Sequence, residues 1–169
     1  SETEHRAALD QWCTEEPRCR WIRQDPGEPG IFGAMNQGFA AAQPSDWLLF
    51  WGSDDWAAGP HVLAAVMAEL QRLCSEGIQP ALLVCSGRYV DPDSRLPGRL
   101  SRFEPLAAGA GLLGAEAYRV ALALGSTPPH QATLFGPAAR AQLARYAPGF
   151  RLSADLDYFL QLGRASDMR

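Results

Sequence analysis

Residues 48–60 read LLFWGSDDWAAGP, and the reading of this stretch decides the fold. Trp47 to Trp51 (WLLFW) is a continuous apolar run. A strand buried on both faces has this appearance, as in a parallel sheet covered by helices. The run stops at Gly52 and gives way to two adjacent carboxylates, Asp54 and Asp55. Like charges side by side repel, and a carboxylate is costly to bury unless it is paired or binds a cation. In open α/β sheets, ligands sit beyond the carboxyl ends of strands. The acid pair falls just past such an end, where hard oxygen ligands suit Mg²⁺ or Mn²⁺. The same residues also read as a plain solvated loop after a strand.

Strand and helix alternate on both sides of this stretch. Residues 5–13 read as a short helix, and Trp21-Ile22 as the end of a short strand. Asp25 to Gly30 is dense in turn formers and predicts a loop. Ile31 to Ala42 predicts a helix with Phe32, Met35 and Phe39 at helical spacing. Downstream, Pro60 opens a helix over His61 to Cys74, with Val62, Val66, Leu70 and Leu73 on one stripe. Ala81 to Val90 is the next strand, followed by an exposed hairpin or loop from Asp91 to Ser101. Residues 106–124 predict a loop and then a helix from about 114. Pro128 to Gln131 is extended, Ala132 to Phe135 is a short strand, and Pro137 opens a helix ending near Tyr146. Ser153 caps a last helix, Ala154 to Leu162, which Gly163 stops. This alternation predicts an α/β fold in one domain spanning 1–169.

Composition narrows the function. The net charge of −4 gives no generic nucleic-acid footprint. No apolar stretch approaches the roughly 20 residues of a membrane-spanning helix. The chain contains no Lys, which together with abundant Ala, Gly, Pro and Leu reads as a coding bias, not a functional use of Arg. Cys13, Cys19, Cys74 and Cys85 form no CxxC pair and no zinc spacing; reduced thiols are the expectation, with a Cys13–Cys19 disulfide as the alternative.

The stretch GIFGAMNQGFAAAQPSDWLLFWGSDDW resembles part of the family 2 glycosyltransferases of GT-A fold. Their pattern there runs D-x-G-I-Y-D-A-M-N-K-G, then A-x-G-D-W, then a hydrophobic strand ending L-N-S-D-D. Gly30, Ile31, Ala34, Met35, Asn36 and Gly38 match, and Trp47, Leu49, Ser53, Asp54 and Asp55 follow at the right distance. PHQATLF (129–135) is similar to the family's P-H-Q-x-x-x-F, and YAPGFRLSADLDYFL (146–160) to its acid-bearing tail, with Asp155 and Asp157 on the two acids. The resemblance covers residues 25 to 163 and points to bacterial enzymes of surface-polysaccharide or lipopolysaccharide synthesis.

This resemblance implies a GT-A-like (Rossmann-like) mixed sheet flanked by helices, lacking the first strands. It implies an inverting, hexosyltransferase-type enzyme that moves a sugar from a nucleotide-diphosphate sugar, UDP favoured, to a hydroxyl of a saccharide or lipid-linked acceptor. Asp55, with Asp54, would hold Mn²⁺ or Mg²⁺ against the diphosphate, with His130 as a metal ligand or a diphosphate contact. Asp155, in the first turn of its helix where the dipole favours an ionised carboxylate, would be the base. Gly30, Asn36, Ser53, Asp54, Trp56, Gln131 and Asp157 would line the substrate site. Trp51 reads as core. The implied location is the cytoplasm, with peripheral contact at the inner membrane.

Several positions depart from the family pattern. Gly33 stands where the pattern has an acid, Gln37 where it has Lys, Glu28 where it has Asp, and Gly87-Arg88 where it has G-D. The chain begins with Ser1, after the segments that cradle the nucleotide base in the family, so about 40–50 residues of roughly two βα units are expected upstream. These departures leave a second expectation open, a non-catalytic, eroded or truncated GT-A-like binding domain.

Overall fold

The computed structural model describes residues 2–91, 98–104, 111–150 and 152–164. The middle of the loop expected at 91–101, and the start of the one expected from 106, lie outside the described residues. In chain order come α1 (Glu2–Glu15), α2 (Ile31–Ala41), β1 (Leu48–Leu49), α3 (Val62–Ser75), β2 (Leu82–Val84), β3 (Gly87–Arg88), β4 (Leu100–Ser101) and α4 (Ala115–Ala123). A 3-10 turn at His130–Ala132 then leads into β5 (Thr133–Phe135), α5 (Pro137–Gln142) and α6 (Ala154–Arg164).

The main sheet has the order β1-β5-β2, with β5 antiparallel to both neighbours. Phe135 pairs with Leu48 on one side and Leu82 on the other, and Leu134 with Leu49 and Leu83. β1 and β2 therefore run parallel to each other with a reversed strand between them. The sheet is mixed, as the GT-A-like expectation requires, and not the parallel sheet that the apolar run alone implied. Only Leu48 and Leu49 of the WLLFW run join the ladder, and they are half-buried, whereas all three residues of β5 are buried. A second, two-stranded sheet pairs β3 with β4 and forms the base of the hairpin expected at 91–101.

An aromatic core explains why this small sheet suffices. Phe39 of α2 lies 5.2 Å from Phe50, 5.5 Å from Tyr146 and 5.8 Å from Tyr158, measured between ring centroids. Phe135 stacks on Phe159 of α6 at 6.0 Å. Each such ring, fully withdrawn from water, contributes roughly 2–3 kcal/mol. Buried hydroxyls find partners: Tyr158 Oη donates to Leu143 O at 2.7 Å, and Tyr118 Oη to Phe159 O at 3.4 Å. Burial pushes both phenols' pKa values up, so they stay neutral donors.

Four local readings need correction. Trp21-Ile22 forms no strand. The helix after Pro60 begins at Val62, and of its stripe only Leu70 and Leu73 are buried. The helix from Pro137 stops at Gln142, short of Tyr146. Gly163 does not stop α6 but lies inside it, where a Cβ would come within 3.3 Å of the Tyr118 ring of α4. The four cysteines are free.

Candidate active site

The acid turn is built on Gly52. Its N–H donates to Asp55 Oδ2 at 2.6 Å, and Asp55 N–H returns a bond to Gly52 O at 3.2 Å. A Cβ at Gly52 would sit 2.7 Å from Asp54 Oδ1 and 3.1 Å from Asp55 Oδ2. Both carboxylates thus draw over the same backbone position, which only glycine leaves open. Asp55 is half-buried, while Ser53 and Asp54 are exposed. Among the described residues no hydrogen bond reaches the Asp54 carboxylate.

Trp51 ties this turn to the next element. Its indole Nε1–H donates to Gln131 O at 2.9 Å, so the end of β1 is fastened to the 3-10 turn that precedes β5. The Gln131 side chain itself is exposed. Trp51 is not core, since 41% of it is exposed, and Trp56 is more open still at 65%.

His130, next to Gln131 in the 3-10 turn, is buried, 7% exposed. Its Nε2 is 2.6 Å from Tyr146 Oη, and its ring lies parallel to Phe50 with centroids 6.1 Å apart. Burial lowers the His130 pKa, while the negative charges of Asp155 and Asp55 oppose that shift. Burial thus favours the neutral form of the His130 ring. Tyr146 is fully buried, and desolvation raises its pKa, with Asp155 adding to the effect.

Asp155 stands half-buried in the first turn of α6. Ser153, at the head of that helix, adopts a left-handed backbone (φ 61°), and its carbonyl accepts from Asp157 N–H at 3.2 Å. A non-glycine residue held there stores strain on the order of 1 kcal/mol. Asp157 points its Oδ2 at Gln161 Nε2, 2.5 Å away.

The amino-terminal part of the site is a bracket. Asn36 Oδ1 accepts from Tyr146 N–H at 2.8 Å, and its Nδ2 reaches Tyr146 O and Glu28 Oε2, each at 3.3 Å. Glu28 also pairs with Arg145 at 2.6 Å. Gly33 fits the same bracket, because a Cβ there would fall 1.9 Å from Glu28 O. The position that carries an acid in the family pattern thus has no room for a side chain. Gly30 caps α2 with φ 92°, its carbonyl receiving Gln24 Nε2.

The structure places Ser53, Asp54, Asp55 and Trp56 on the acid turn and His130 and Gln131 on the 3-10 turn fastened to it through Trp51, with Asp155 in the first turn of α6. The amide of Asn36 and the Nε2 of His130 are both occupied by Tyr146. The sequence reading had not singled out Tyr146, Trp51 or Glu28 as site residues, although Tyr146 opens the acid-bearing tail. A cavity of about 670 Å³ lies elsewhere, between β4 and the end of α4, lined by Arg99, Arg102, Glu104 and Ser126 among others.

Among the described residues, no three His, Cys, Asp or Glu side chains gather into a metal cluster. The acid pair still fits a hard divalent cation. It offers carboxylate oxygens whose mutual repulsion a cation relieves, and Mg²⁺-type sites commonly take one or two carboxylates and complete the shell with substrate phosphates.

A strand that delivers paired carboxylates to the edge of a mixed sheet is an arrangement suited to a sugar-transferring enzyme. The family model described as glycosyl transferase family 2 matches residues 1–107, more than half of the chain. The chain belongs to that family. Its general activity is glycosyl transfer, and the family generally uses divalent cations, nucleotide-sugar donors and a separate acceptor. No curated protein and no solved structure matches the chain. The acid turn lies inside the matched segment; His130, Tyr146 and Asp155 lie outside it. Among the described residues, no helix is long and apolar enough to cross a membrane.

Proposed function

We propose that this chain is an inverting, metal-assisted glycosyltransferase that moves a hexosyl group from a UDP-sugar to a hydroxyl of a saccharide or lipid-linked acceptor in surface-polysaccharide synthesis. One observation supports the reading: Asp54 and Asp55 both draw over Gly52 just past the end of β1, with Asp55 Oδ2 accepting from Gly52 N–H at 2.6 Å. Asp54 and Asp55 hold the divalent cation, with Asp55 oriented by Gly52 N–H. When bound, that cation offsets charge developing on the diphosphate leaving group. His130 is buried with its Nε2 2.6 Å from Tyr146 Oη, so in this arrangement that nitrogen is not open to the cation. Asp155 accepts the acceptor's hydroxyl proton as that oxygen bonds to the anomeric carbon. The bond from that carbon to the phosphate oxygen breaks, and its electron pair leaves with the diphosphate. A lipid-linked acceptor would bring the enzyme to the cytoplasmic face of the inner membrane.

The test is release of UDP from UDP-glucose in Mn²⁺, with water as the acceptor, in wild type and Asp155→Asn. General-base catalysis contributes about 10²–10⁴-fold, so the variant should bind UDP normally and release it at least 100-fold more slowly. Equal rates would remove Asp155 from the chemistry. No turnover by the wild type on any sugar nucleotide would favour the non-catalytic alternative, with its side-chain-free position at Gly33.

A further inference from the structure

We infer that the face formed by the β3–β4 hairpin and the end of α4 docks on a lipid surface and holds an anionic phospholipid headgroup in the cavity between them. The inference deepens the proposed function and rests on its lipid-linked acceptor. The cavity, about 670 Å³, falls within the roughly 300–1,000 Å³ of small-ligand sites. Arg99 and Arg102 line it with guanidinium donors, and Ser101, Ser126 and Thr127 with hydroxyls. Glu104 also lines it but is paired with Arg102. Its N–H donates to Ser126 Oγ at 2.9 Å, which fastens the end of β4 to the loop after α4 and leaves the Ser126 O–H to donate. Arg99 lies over the Tyr89 ring at 5.7 Å, and the neighbouring Arg88 gives Nη1–H to Gly98 O at 2.8 Å. Among the described residues, no carboxylate pairs with Arg88 or Arg99. A lining of forked and hydroxyl donors, with its carboxylate already paired, suits phosphate oxygens.

The rim selects a lipid surface over a soluble phosphate. Tyr89 (61% exposed) and Val90 follow β3 on the hairpin, and Leu100 and Leu124 (64%) line the cavity; all four are exposed. Apolar side chains gathered around guanidinium groups are the composition of an interfacial surface. The apolar groups enter the acyl boundary while the cations meet the headgroups. A soluble anion would use the donors and gain nothing from the rim. The whole chain carries −4, so the attraction belongs to this face and not to the bulk charge. The face adjoins the candidate site: a Cβ at Gly87 in β3 would lie 3.7 Å from Ala132 Cβ of the 3-10 turn.

Co-sedimentation with phosphatidylcholine vesicles is compared with that on vesicles carrying about one-third phosphatidylglycerol. The proteins are wild type, Arg99→Gln, Leu124→Ser and Arg20→Gln, the last making the same charge change outside the hairpin and α4. Thermal unfolding and UDP binding with Mn²⁺ confirm that each is folded. Wild type should prefer the anionic vesicles about tenfold or more, Arg99→Gln should lose about fivefold of that binding, and Leu124→Ser about threefold. Arg20→Gln should stay within about twofold of wild type. No preference for anionic vesicles, or an equal loss in Arg20→Gln, would overturn the inference. So would competition by glycerol phosphate together with an unchanged Leu124→Ser, which would make the cavity a site for a soluble anion. Wild type that binds UDP but ignores anionic vesicles would overturn the inference alone. Vesicle binding without UDP binding would fault the donor site and not this face.

Discussion

Asn36→Ala strikes the bracket that holds Tyr146, and through it His130. The Asn36 amide engages the backbone of Tyr146 on both sides, accepting its N–H at 2.8 Å and reaching its carbonyl at 3.3 Å. Alanine removes the short bond and leaves a part-buried N–H without its acceptor, which costs about 1–2 kcal/mol. The two longer donations, to Tyr146 O and Glu28 Oε2, together add about 1 kcal/mol. The expected loss is about 2–3 kcal/mol. With a urea slope of about 2 kcal/mol/M, the unfolding midpoint should fall by about 1–1.5 M. Asn36→Asp separates the parts. It keeps the acceptor for Tyr146 N–H but loses the donations and puts a carboxylate beside Glu28. Its deficit should shrink when Glu28→Gln is added. A midpoint shift below about 0.3 M for Asn36→Ala, at unchanged slope, would refute the bracket.

Three further outcomes follow from the same geometry. Gly33→Ala brings a Cβ within 1.9 Å of Glu28 O, so the backbone clash should outweigh the roughly 1 kcal/mol helix-propensity gain and lower the melting temperature; a rise would contradict the close approach. Tyr146→Phe leaves His130 Nε2 buried without its partner and should cost about 1–3 kcal/mol, read by denaturant unfolding. Burial lowers the His130 pKa, so below about pH 6.5 the unfolded chain takes up a proton that the native state refuses. That contribution is intact above pH 6.5 and is lost as pH falls toward the native value, by at most about 1.4 kcal/mol per pH unit; His130→Gln should flatten this part of the stability–pH curve.

The readable parts of this molecule were local. A carboxylate pair after an apolar run marks a strand end, whereas the tight turn at Gly52 shows only in the structure. Helix α2 is legible from its apolar spacing and α6 from the Ser153 at its head, whereas α4 reads only as a helix from about 114. What stayed hidden depends on distance in sequence. Gly33 reads as the loss of an acid, and only the path of the Glu28 loop shows that no side chain fits there. The hydrogen bonds of the Asn36 amide to the backbone of Tyr146, from the far end of the chain, have no signal in the local sequence. Trp51 scores as core by apolarity alone, because its anchoring to Gln131 needs the register of β1 against β5. Gly163 resembles a helix stop, yet it is a packing surface for Tyr118. Periodicity reports which face an element buries, but not which loop will press against it.

The role proposed for Asp54 and Asp55 is to hold a diphosphate through a divalent cation. Titration of UDP into the protein with and without Mn²⁺, repeated with Asp55→Ala, tests it most directly. Binding should require Mn²⁺ in the wild type and weaken at least tenfold, about 1.4 kcal/mol or more, in the variant. UDP binding that ignores Mn²⁺, or that survives Asp55→Ala unchanged, would contradict it.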